Sequence, residues 1–231
     1  MASLFYAIWQ LMLLQLASSQ KQSRPPHIVL IVADDLGWND ISWHNAKMKS
    51  PNLERLAREG VILDQHYALP ICTPTRAALL TGRYPYKLGI QGHGLRPLEP
   101  NGLPLGVTTL AEELKRRGYR THAFGKWHLG YCNRSLTPTH RGFDTFRGFY
   151  AGSEDYFRHT LSGGKTSPMA KGYDYRNGDD VDYSSKGAYS TTLIANHVLS
   201  TIEKSKQHEP MFLYVAFQAV HAPLQVPSRY R

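Results

Sequence analysis

Two short, uninterrupted apolar segments place the strongest constraint on the fold of this chain. They are His27–Ala33 (HIVLIVA) and Met211–Phe217 (MFLYVAF). Both are rich in β-branched or aromatic residues and are shorter than a typical helix. Strands that are apolar on both faces are typical of parallel sheets, whose two faces are covered by helices. The two segments therefore predict an α/β protein.

Helical patterns lie between the two segments, as this fold class requires. We predict helices from Ser50-Pro51 to Gly60 and over Thr73–Leu80, Thr109–Arg117 and Ser190–Lys204. Further strands are predicted at Val61–His66 and Tyr119–Phe124. Strands that alternate with helices indicate a mostly parallel sheet with helices on both faces.

Residues 161–187 lack apolar periodicity and are rich in Gly, Ser, Asp and Tyr. A segment of this kind predicts a long loop or lid, or a small side hairpin. The sequence shows no internal repeat and no clear domain linker. We therefore expect residues 20–231 to belong to one domain.

Residues 1–19 have the pattern of a secretory signal peptide. The short apolar run Leu4–Leu16 is followed by small residues before a cleavage point after Ser19. The run is too short for a stable membrane span, and the polar stretch Gln20–Pro26 favours a signal peptide over a buried N-terminal helix. We expect entry into the secretory pathway and residence in the lysosome or outside the cell. Export makes Asn133, in the triplet Asn-Arg-Ser, a usable glycosylation acceptor.

The formal net charge of +9 favours encounters with polyanions. Most basic residues are scattered, and the triplet Lys115-Arg116-Arg117 lies at a predicted helix end, where the helix dipole favours cations. Neither a zinc-finger spacing nor an RNA-recognition aromatic motif is present. The sequence thus does not predict a nucleic-acid partner, whereas a sulfated glycan is consistent with the charge.

Polar residues follow three of the predicted strands, where α/β proteins bind ligands. Asp34-Asp35 follows the first strand, and paired carboxylates suit a hard cation such as calcium or magnesium, although a turn or cap is an equally good interpretation. Lys126 and His128 follow another strand and would point to one side if the backbone is extended. Such a pair suits an anionic substrate, with lysine for charge and histidine for proton transfer. His221 follows the last strand; taken alone, it fits a turn residue better.

The segment Cys72-Thr-Pro-Thr-Arg76 places a cysteine and an arginine one helical turn apart at the start of a predicted helix. The helix N-terminus favours negative charge on Cys72, and Arg76 lies on the same face. A nucleophile that faces a guanidinium can bind an oxyanion such as sulfate or phosphate. The alternative interpretation is a buried cysteine with an unrelated surface arginine.

The pentapeptide at Cys72–Arg76, continued as AALLTGR, resembles the modification motif of the sulfatase family, within the alkaline-phosphatase-like superfamily. Four further segments match the family in order: residues 33–40 (ADDLGWND), 125–130 (GKWHLG), 141–146 (RGFDTF) and 221–227 (HAPLQVP). The amino-acid sequences of these segments are most similar to those of the arylsulfatase B (N-acetylgalactosamine-4-sulfatase) branch of the family. The resemblance extends from about Pro26 to the last residue.

The resemblance implies a calcium-dependent hydrolase of sulfate esters, either aryl sulfates or sulfated sugars such as N-acetylgalactosamine 4-sulfate. Cys72 would be oxidised to formylglycine by a formylglycine-generating enzyme during secretion, and the aldehyde hydrate would attack sulfur. The implied roles, residue by residue, are calcium binding by Asp34, Asp35 and Cys72, hydrate binding by Arg76, deprotonation by His128, and sulfate contact by Lys126 and His221. His221 would also be a candidate acid for the leaving oxygen.

Two features differ from the family pattern. Family members are longer, and a later strand supplies an Asp-Asn pair and a further Lys, so we expect this chain to be the N-terminal portion of a sulfatase catalytic domain. If Cys72 is modified, Cys132 has no partner in the sequence. Two alternatives stay open: a catalytically incomplete, secreted binding protein, and a phosphatase that uses Cys72 as a thiolate. Tyrosine phosphatases, however, place five residues between Cys and Arg and use no metal.

Overall fold

The computed structural model describes residues 25–163, 167–206 and 208–230. The predicted signal peptide, residues 1–19, lies outside these ranges. Within them, no helix has the length and apolar character needed to cross a bilayer.

A six-stranded sheet forms the centre of the protein, with strand order β1-β8-β2-β3-β6-β7. The first four strands in this order are parallel, and the short strands β6 and β7 add an antiparallel edge. A separate hairpin consists of β4 and β5. The strands are β1 (Ile28–Asp34), β2 (Arg120–Lys126), β3 (Thr145–Phe149), β4 (Thr160–Gly163), β5 (Ser167–Tyr173), β6 (Arg176–Asn177), β7 (Asp180–Val181) and β8 (Met211–Val220).

The α-helices are α1 (Pro51–Glu59), α2 (Cys72–Thr81), α3 (Leu110–Arg116) and α4 (Ser190–Lys204). Local signals explain their ends. Thr109 and Glu112 form a reciprocal capping box at the start of α3. Gly82 ends α2 in the left-handed conformation, with φ of 64°. Short 3-10 helices occupy Trp38–Asp40, Pro85–Lys87, Arg134–Leu136, Pro138–His140, Tyr183–Ser185 and Ser228–Tyr230.

Alternate residues of β8 pack against helices on opposite faces of the sheet. Leu213 and Val215 share a core cluster with Ile194 of α4. Phe212 and Tyr214, which point the other way, join the larger cluster that includes residues of α2 and α3. The prediction of a mostly parallel sheet with helices on both faces is therefore confirmed for its centre. The expectation that the first apolar segment is buried on both faces is wrong, because β1 lies at the edge of the sheet and Val29 and Ile31 are 50% and 58% exposed.

The structure differs from the sequence-based prediction in one strand, adds one strand that was not predicted, and gives residues 161–187 a defined structure. The prediction of a strand at Val61–His66 is wrong. Val61 and Leu63 are exposed and line an apolar groove together with Leu56 of α1. Strand β3 had no clear apolar pattern, because Arg147 and Gly148 interrupt it. For residues 161–187, the sequence predicts a long loop or lid, or a small side hairpin. The hairpin of β4 and β5 bears out the last alternative, and the segment also supplies β6 and β7, which join the main sheet.

The close approach of β2 and β3 depends on glycine. A Cβ atom on Gly148 would lie 2.1 Å from the carbonyl oxygen of Gly125 on the neighbouring strand. No side chain fits in this space. This close contact fixes the backbone at the end of β2, where Lys126 follows Gly125 as the last residue of the strand.

Candidate active site

The carboxyl ends of β1, β2 and β8 meet at one edge of the sheet, and the predicted site residues gather there. Asp34, Asp35, Cys72 and Arg76 line a cleft of about 380 Å³. Cys72 also lines a second cavity, of about 220 Å³, together with His128 and His221. The fold thus brings together residues that are up to 187 positions apart in the sequence.

Cys72 is the first residue of α2 and is half-buried as a free thiol. Its predecessor Ile71 is extended, and its carbonyl accepts the first helical hydrogen bond, from the Thr75 amide at 3.0 Å. The sequence-based placement of Cys72 at a helix N-terminus is therefore correct. The free amides of this first turn favour an anionic group at Cys72.

Arg76 is almost completely buried, at 1% exposure, so the alternative of a surface arginine is wrong. Its guanidinium lies 3.5 Å from the Asp34 carboxylate. It also donates to the carbonyl oxygen of Lys126 at 3.0 Å and to the Tyr214 hydroxyl at 3.2 Å. These contacts join α2 to β1, β2 and β8.

Lys126 lies beneath the cleft, with its ammonium 2.5 Å from Asp34 Oδ2. Burial lowers the pKa of Lys126, the charge of Arg76 lowers it further, and the Asp34 carboxylate opposes both effects. Two buried cations thus surround one buried carboxylate. The trio carries an excess positive charge directly below the cleft.

His128 does not continue the β2 strand. Its φ is 55°, so the extended backbone assumed for Lys126 and His128 is wrong at this position. The left-handed turn directs the imidazole towards Leu95, whose carbonyl oxygen lies 2.8 Å from Nε2. A carbonyl only accepts hydrogen bonds, so Nε2 carries the proton and Nδ1 has the lone pair.

The Nδ1 atom of His128 is buried and has no hydrogen-bond partner among the described residues. Burial, together with the nearby charge of Lys126, lowers the pKa of His128 to about 3. The ring is therefore neutral at physiological pH. A side-chain carbon placed on Gly94 would lie 3.1 Å from Cε1 of His128 and 3.4 Å from Cys72 Sγ, so the two groups border the same small space. His128 is a neutral imidazole next to Cys72, with a lone pair on Nδ1 that can accept a proton.

His221 faces Asp35 across the outer part of the site. Its Nε2 lies 3.7 Å from Asp35 Oδ2, and its Nδ1 lies 2.6 Å from the carbonyl oxygen of Ala222. The Tyr156 hydroxyl donates to the His221 carbonyl at 2.8 Å. The imidazole is half-buried, with access to solvent and to the Asp35 carboxylate.

Sequence reasoning missed the residues that hold the site in place. Thr73 Oγ1 donates to the His128 carbonyl and accepts from the Leu95 amide, both at 3.0 Å. Tyr214 anchors Arg76 from the middle of β8. A hydroxyl within an otherwise apolar strand was the available signal for Tyr214; Leu95 gave none, because it acts through its backbone.

The described residues form no group of three or more His, Cys, Asp or Glu side chains that could hold a metal ion. Asp34 and Asp35 offer carboxylate oxygens in the cleft of Cys72, which suits a hard cation. Calcium takes six to eight oxygen ligands, so these two side chains fit calcium as part of a coordination shell.

The other predicted modification site lies on the surface. Asn133 is exposed, and its Oδ1 accepts from the Ser135 amide at 3.0 Å. Its neighbour Cys132 is an exposed free cysteine.

These features define an α/β protein whose candidate active site, with two buried cations, lies at the carboxyl edge of a parallel sheet. A family model for sulfatases matches residues 26–231. Arylsulfatase J of Mus musculus is 45% identical over 207 residues, which cover 89% of this chain and 34% of the relative. Arylsulfatase A of Homo sapiens is 45% identical over 140 residues, which cover 59% of this chain and 28% of the relative.

The solved structure of Ps i-CgsB in complex with k-i-k-neocarrahexaose has the same architecture. It superimposes with a TM-score of 0.79 at 31% sequence identity, covering 89% of this chain and 48% of that chain. The chain belongs to the sulfatase family. It spans about a third of the length of arylsulfatase J, the relative that it matches over 89% of its own residues.

Proposed function

We propose that this chain carries the catalytic centre of a calcium-dependent sulfuric ester hydrolase, with Cys72 as the precursor of formylglycine. The observation that carries the proposal is the excess positive charge of Arg76 and Lys126 around Asp34, buried directly beside Cys72. A sulfate ester gains negative charge on its oxygens in the transition state. Fixed cations at that position stabilise the charge without reorganisation.

Each residue has a role that its contacts support. Oxidised Cys72, as the hydrated aldehyde, would supply the hydroxyl that attacks sulfur. His128 accepts the proton of that hydroxyl at Nδ1, which is neutral and unpartnered. Arg76, buried below the helix N-terminus, holds the hydrate in place. The covalent route divides one difficult step into two easier ones.

Lys126 and His221 act on the sulfate from opposite sides. Lys126 stabilises it through its charge from beneath Asp34. His221 contacts it at the open side and, when protonated, donates from Nε2 to the leaving oxygen, with Asp35 as its counter-ion. Proton donation to the leaving alcohol prevents the build-up of charge on that oxygen.

Asp34 and Asp35 would contribute carboxylate oxygens to a single calcium ion, together with the modified Cys72 side chain. The ion would add Lewis-acid polarisation of the sulfate oxygens. The remaining ligands would come from outside the residues described here.

The proposed substrate is an aryl sulfate or a sulfated sugar, such as N-acetylgalactosamine 4-sulfate within a glycosaminoglycan. The net charge of +9 favours encounters with such polyanions. We also propose that the chain enters the secretory pathway, meets the formylglycine-generating enzyme there, is glycosylated at Asn133 and acts in the lysosome or outside the cell.

Mass spectrometry of the tryptic peptide that spans residues 59–76, from protein secreted by a competent cell, tests this proposal. The aldehyde at position 72 is expected, with hydrolysis of an aryl sulfate that is lost in Cys72→Ala. An unmodified thiol with phosphate monoester hydrolysis would favour the thiolate phosphatase instead. An unmodified thiol with sulfate binding but no hydrolysis would favour a binding protein.

A further inference from the structure

A third cation, separate from the buried pair Arg76 and Lys126, lies at the open side of the candidate active site. Arg96 lines the cavity of about 220 Å³ together with Cys72, His128 and His221. The residue is exposed. Among the residues that the structure describes, none forms an ion pair or hydrogen bond with its guanidinium. A charged residue that lines this cavity, with no partner for its guanidinium among the described residues, is available to a ligand.

The backbone that carries Arg96 is fixed to the catalytic elements. The preceding residue, Leu95, donates its amide to Thr73 Oγ1 and accepts from His128 Nε2. Arg96 itself donates its amide to Glu99 Oε2 at 2.9 Å, and the Glu99 amide donates to the Arg96 carbonyl at 3.1 Å. The guanidinium therefore extends from a rigid turn whose position is set by α2 and by His128.

We propose that Arg96 binds a second anionic group of the substrate, a carboxylate or sulfate on the sugar next to the one that bears the scissile sulfate. A guanidinium binds both anions through two parallel hydrogen bonds. Arg76 and Lys126 lie beneath the scissile sulfate, whereas Arg96 lies at the cavity wall. Arg96 thus distinguishes polyanionic glycans from simple aryl sulfates. This inference rests on the proposed function and adds a specificity residue to it.

Isothermal titration calorimetry with the secreted full chain tests the inference with three probes. Phenyl sulfate has one anionic group. A monosulfated disaccharide with a uronate has a sulfate and a carboxylate, and a disulfated disaccharide methyl ester has two sulfates and no carboxylate. Comparison of the two disaccharides shows whether Arg96 binds a carboxylate or a second sulfate.

Arg96→Ala is expected to weaken binding of at least one disaccharide about tenfold. This effect is at the lower end of what charge-assisted hydrogen bonds contribute to binding, because Arg96 is exposed to solvent. Binding of phenyl sulfate should be unchanged. Arg96→Lys should restore part of the loss, because the charge remains but the two-point geometry does not. Arg83→Ala is the matched control: Arg83 is exposed and lies just beyond the opposite end of α2 from Cys72. Circular dichroism confirms that each variant is folded.

Two outcomes would overturn the inference while the proposed function stands. In one, Arg96→Ala leaves binding of all three probes unchanged. In the other, it weakens phenyl sulfate as much as the disaccharides, which would make Arg96 a general sulfate contact. If the wild-type chain retains an unmodified Cys72 and binds none of the probes, the proposed function fails and this inference fails with it.

Discussion

The carboxylate of Asp34 lies 2.5 Å from the ammonium of Lys126, and both groups are buried although they are 92 residues apart in the sequence. Arg76 approaches the same carboxylate from α2. Asp34 is thus the common counter-ion of two cations that have little contact with water. Its removal should have consequences that differ from those of removing either cation.

The first prediction concerns the two buried cations that share the single carboxylate of Asp34. Asp34→Asn leaves two buried cations without a counter-charge and should lower the free energy of unfolding by about 3 kcal/mol. Lys126→Met leaves Asp34 paired with Arg76 and should cost only about 1 kcal/mol. Urea unfolding measures both variants, with Lys206→Met, at an exposed lysine, as the control. An equal or larger loss in Lys126→Met would show that Lys126 is the main stabilising partner.

The second prediction concerns the space around His128. A Cβ atom on Gly152 would lie 2.7 Å from Cε1 of the His128 ring, which cannot move away while Nε2 is bonded to Leu95. Gly152→Ala should therefore lower the free energy of unfolding by about 1–3 kcal/mol, as expected for overpacking. Thermal unfolding measures the change.

Gly92→Ala is the control for this substitution, because a Cβ atom on Gly92 would meet nothing within 4 Å. Gly94→Ala should be less destabilising than Gly152→Ala, since its nearest contact is 3.1 Å, but it would fill the space between His128 and Cys72. A stability for Gly152→Ala that matches Gly92→Ala would show that the His128 ring is free to move.

The third prediction concerns the contacts that hold the His221 segment. Gln225 accepts from the Tyr156 amide at 2.8 Å and donates to Asp155 Oδ2 at 2.9 Å. Gln225→Glu keeps the shape but replaces the donor with a carboxylate next to Asp155. The repulsion and the lost hydrogen bond should lower the free energy of unfolding by about 1–2 kcal/mol at pH 7.

The loss in Gln225→Glu should shrink at pH 4, where one of the two carboxyl groups takes up a proton. Urea unfolding at the two pH values measures this change. Tyr156→Phe removes only the hydroxyl that donates to His221 and should show no such pH dependence. A loss in Gln225→Glu that is the same at both pH values would argue against the repulsion.

The fourth prediction concerns a fully buried pair outside the catalytic cavity, Glu154 and His159, whose side chains are 2.9 Å apart. Burial raises the pKa of Glu154 to about 7, although His159 opposes the shift. For His159, burial lowers the pKa, but the hydrogen bond and charge of Glu154 outweigh this effect and raise it. Both groups thus hold protons more tightly in the folded than in the unfolded chain.

A group with a raised folded pKa stabilises the fold at low pH and loses that contribution as pH rises through the folded pKa. The contribution of this pair to the free energy of unfolding should therefore fall between pH 4.5 and pH 7, by on the order of 1 kcal/mol per pH unit. The lowered pKa of His128 has the opposite effect below pH 6.5, so the contribution of the pair is measured against a variant that lacks it. Urea unfolding across this interval tests the prediction. The difference in unfolding free energy between the wild type and Glu154→Gln should fall as pH rises across the interval, and a difference that stays constant or rises with pH would contradict the prediction.

Much of the architecture follows from local sequence signals. The apolar segments at β1 and β8 predicted a parallel sheet because strands that are apolar on both faces are typical of such sheets. Only β8 is buried on both faces; one face of β1, at the edge of the sheet, is exposed. The capping box at Thr109 and the placement of Cys72 at a helix start depend on residues within one turn. Signals of this kind act between near neighbours, so they can be read without knowledge of the rest of the fold.

Strand β3 and residues 61–66 show where local signals fail. Thr145–Phe149 is a strand because it pairs with β2, despite a charged residue and a glycine in its sequence. Residues 61–66 have an apolar start but no strand beside them. In both cases tertiary pairing overrode local propensity.

The sequence by itself determined the fold class, the helix that begins at Cys72 and the residue types of an anion site. Only the tertiary structure decided that Asp34 is the shared counter-ion of Lys126 and Arg76, that the neutral His128 has its lone pair on Nδ1, and that Arg96 at the cavity wall has no partner among the described residues. These properties depend on which atoms meet across the sheet and on how much water is excluded. Burial and distance between remote residues are set by strand register and packing, which no local pattern encodes.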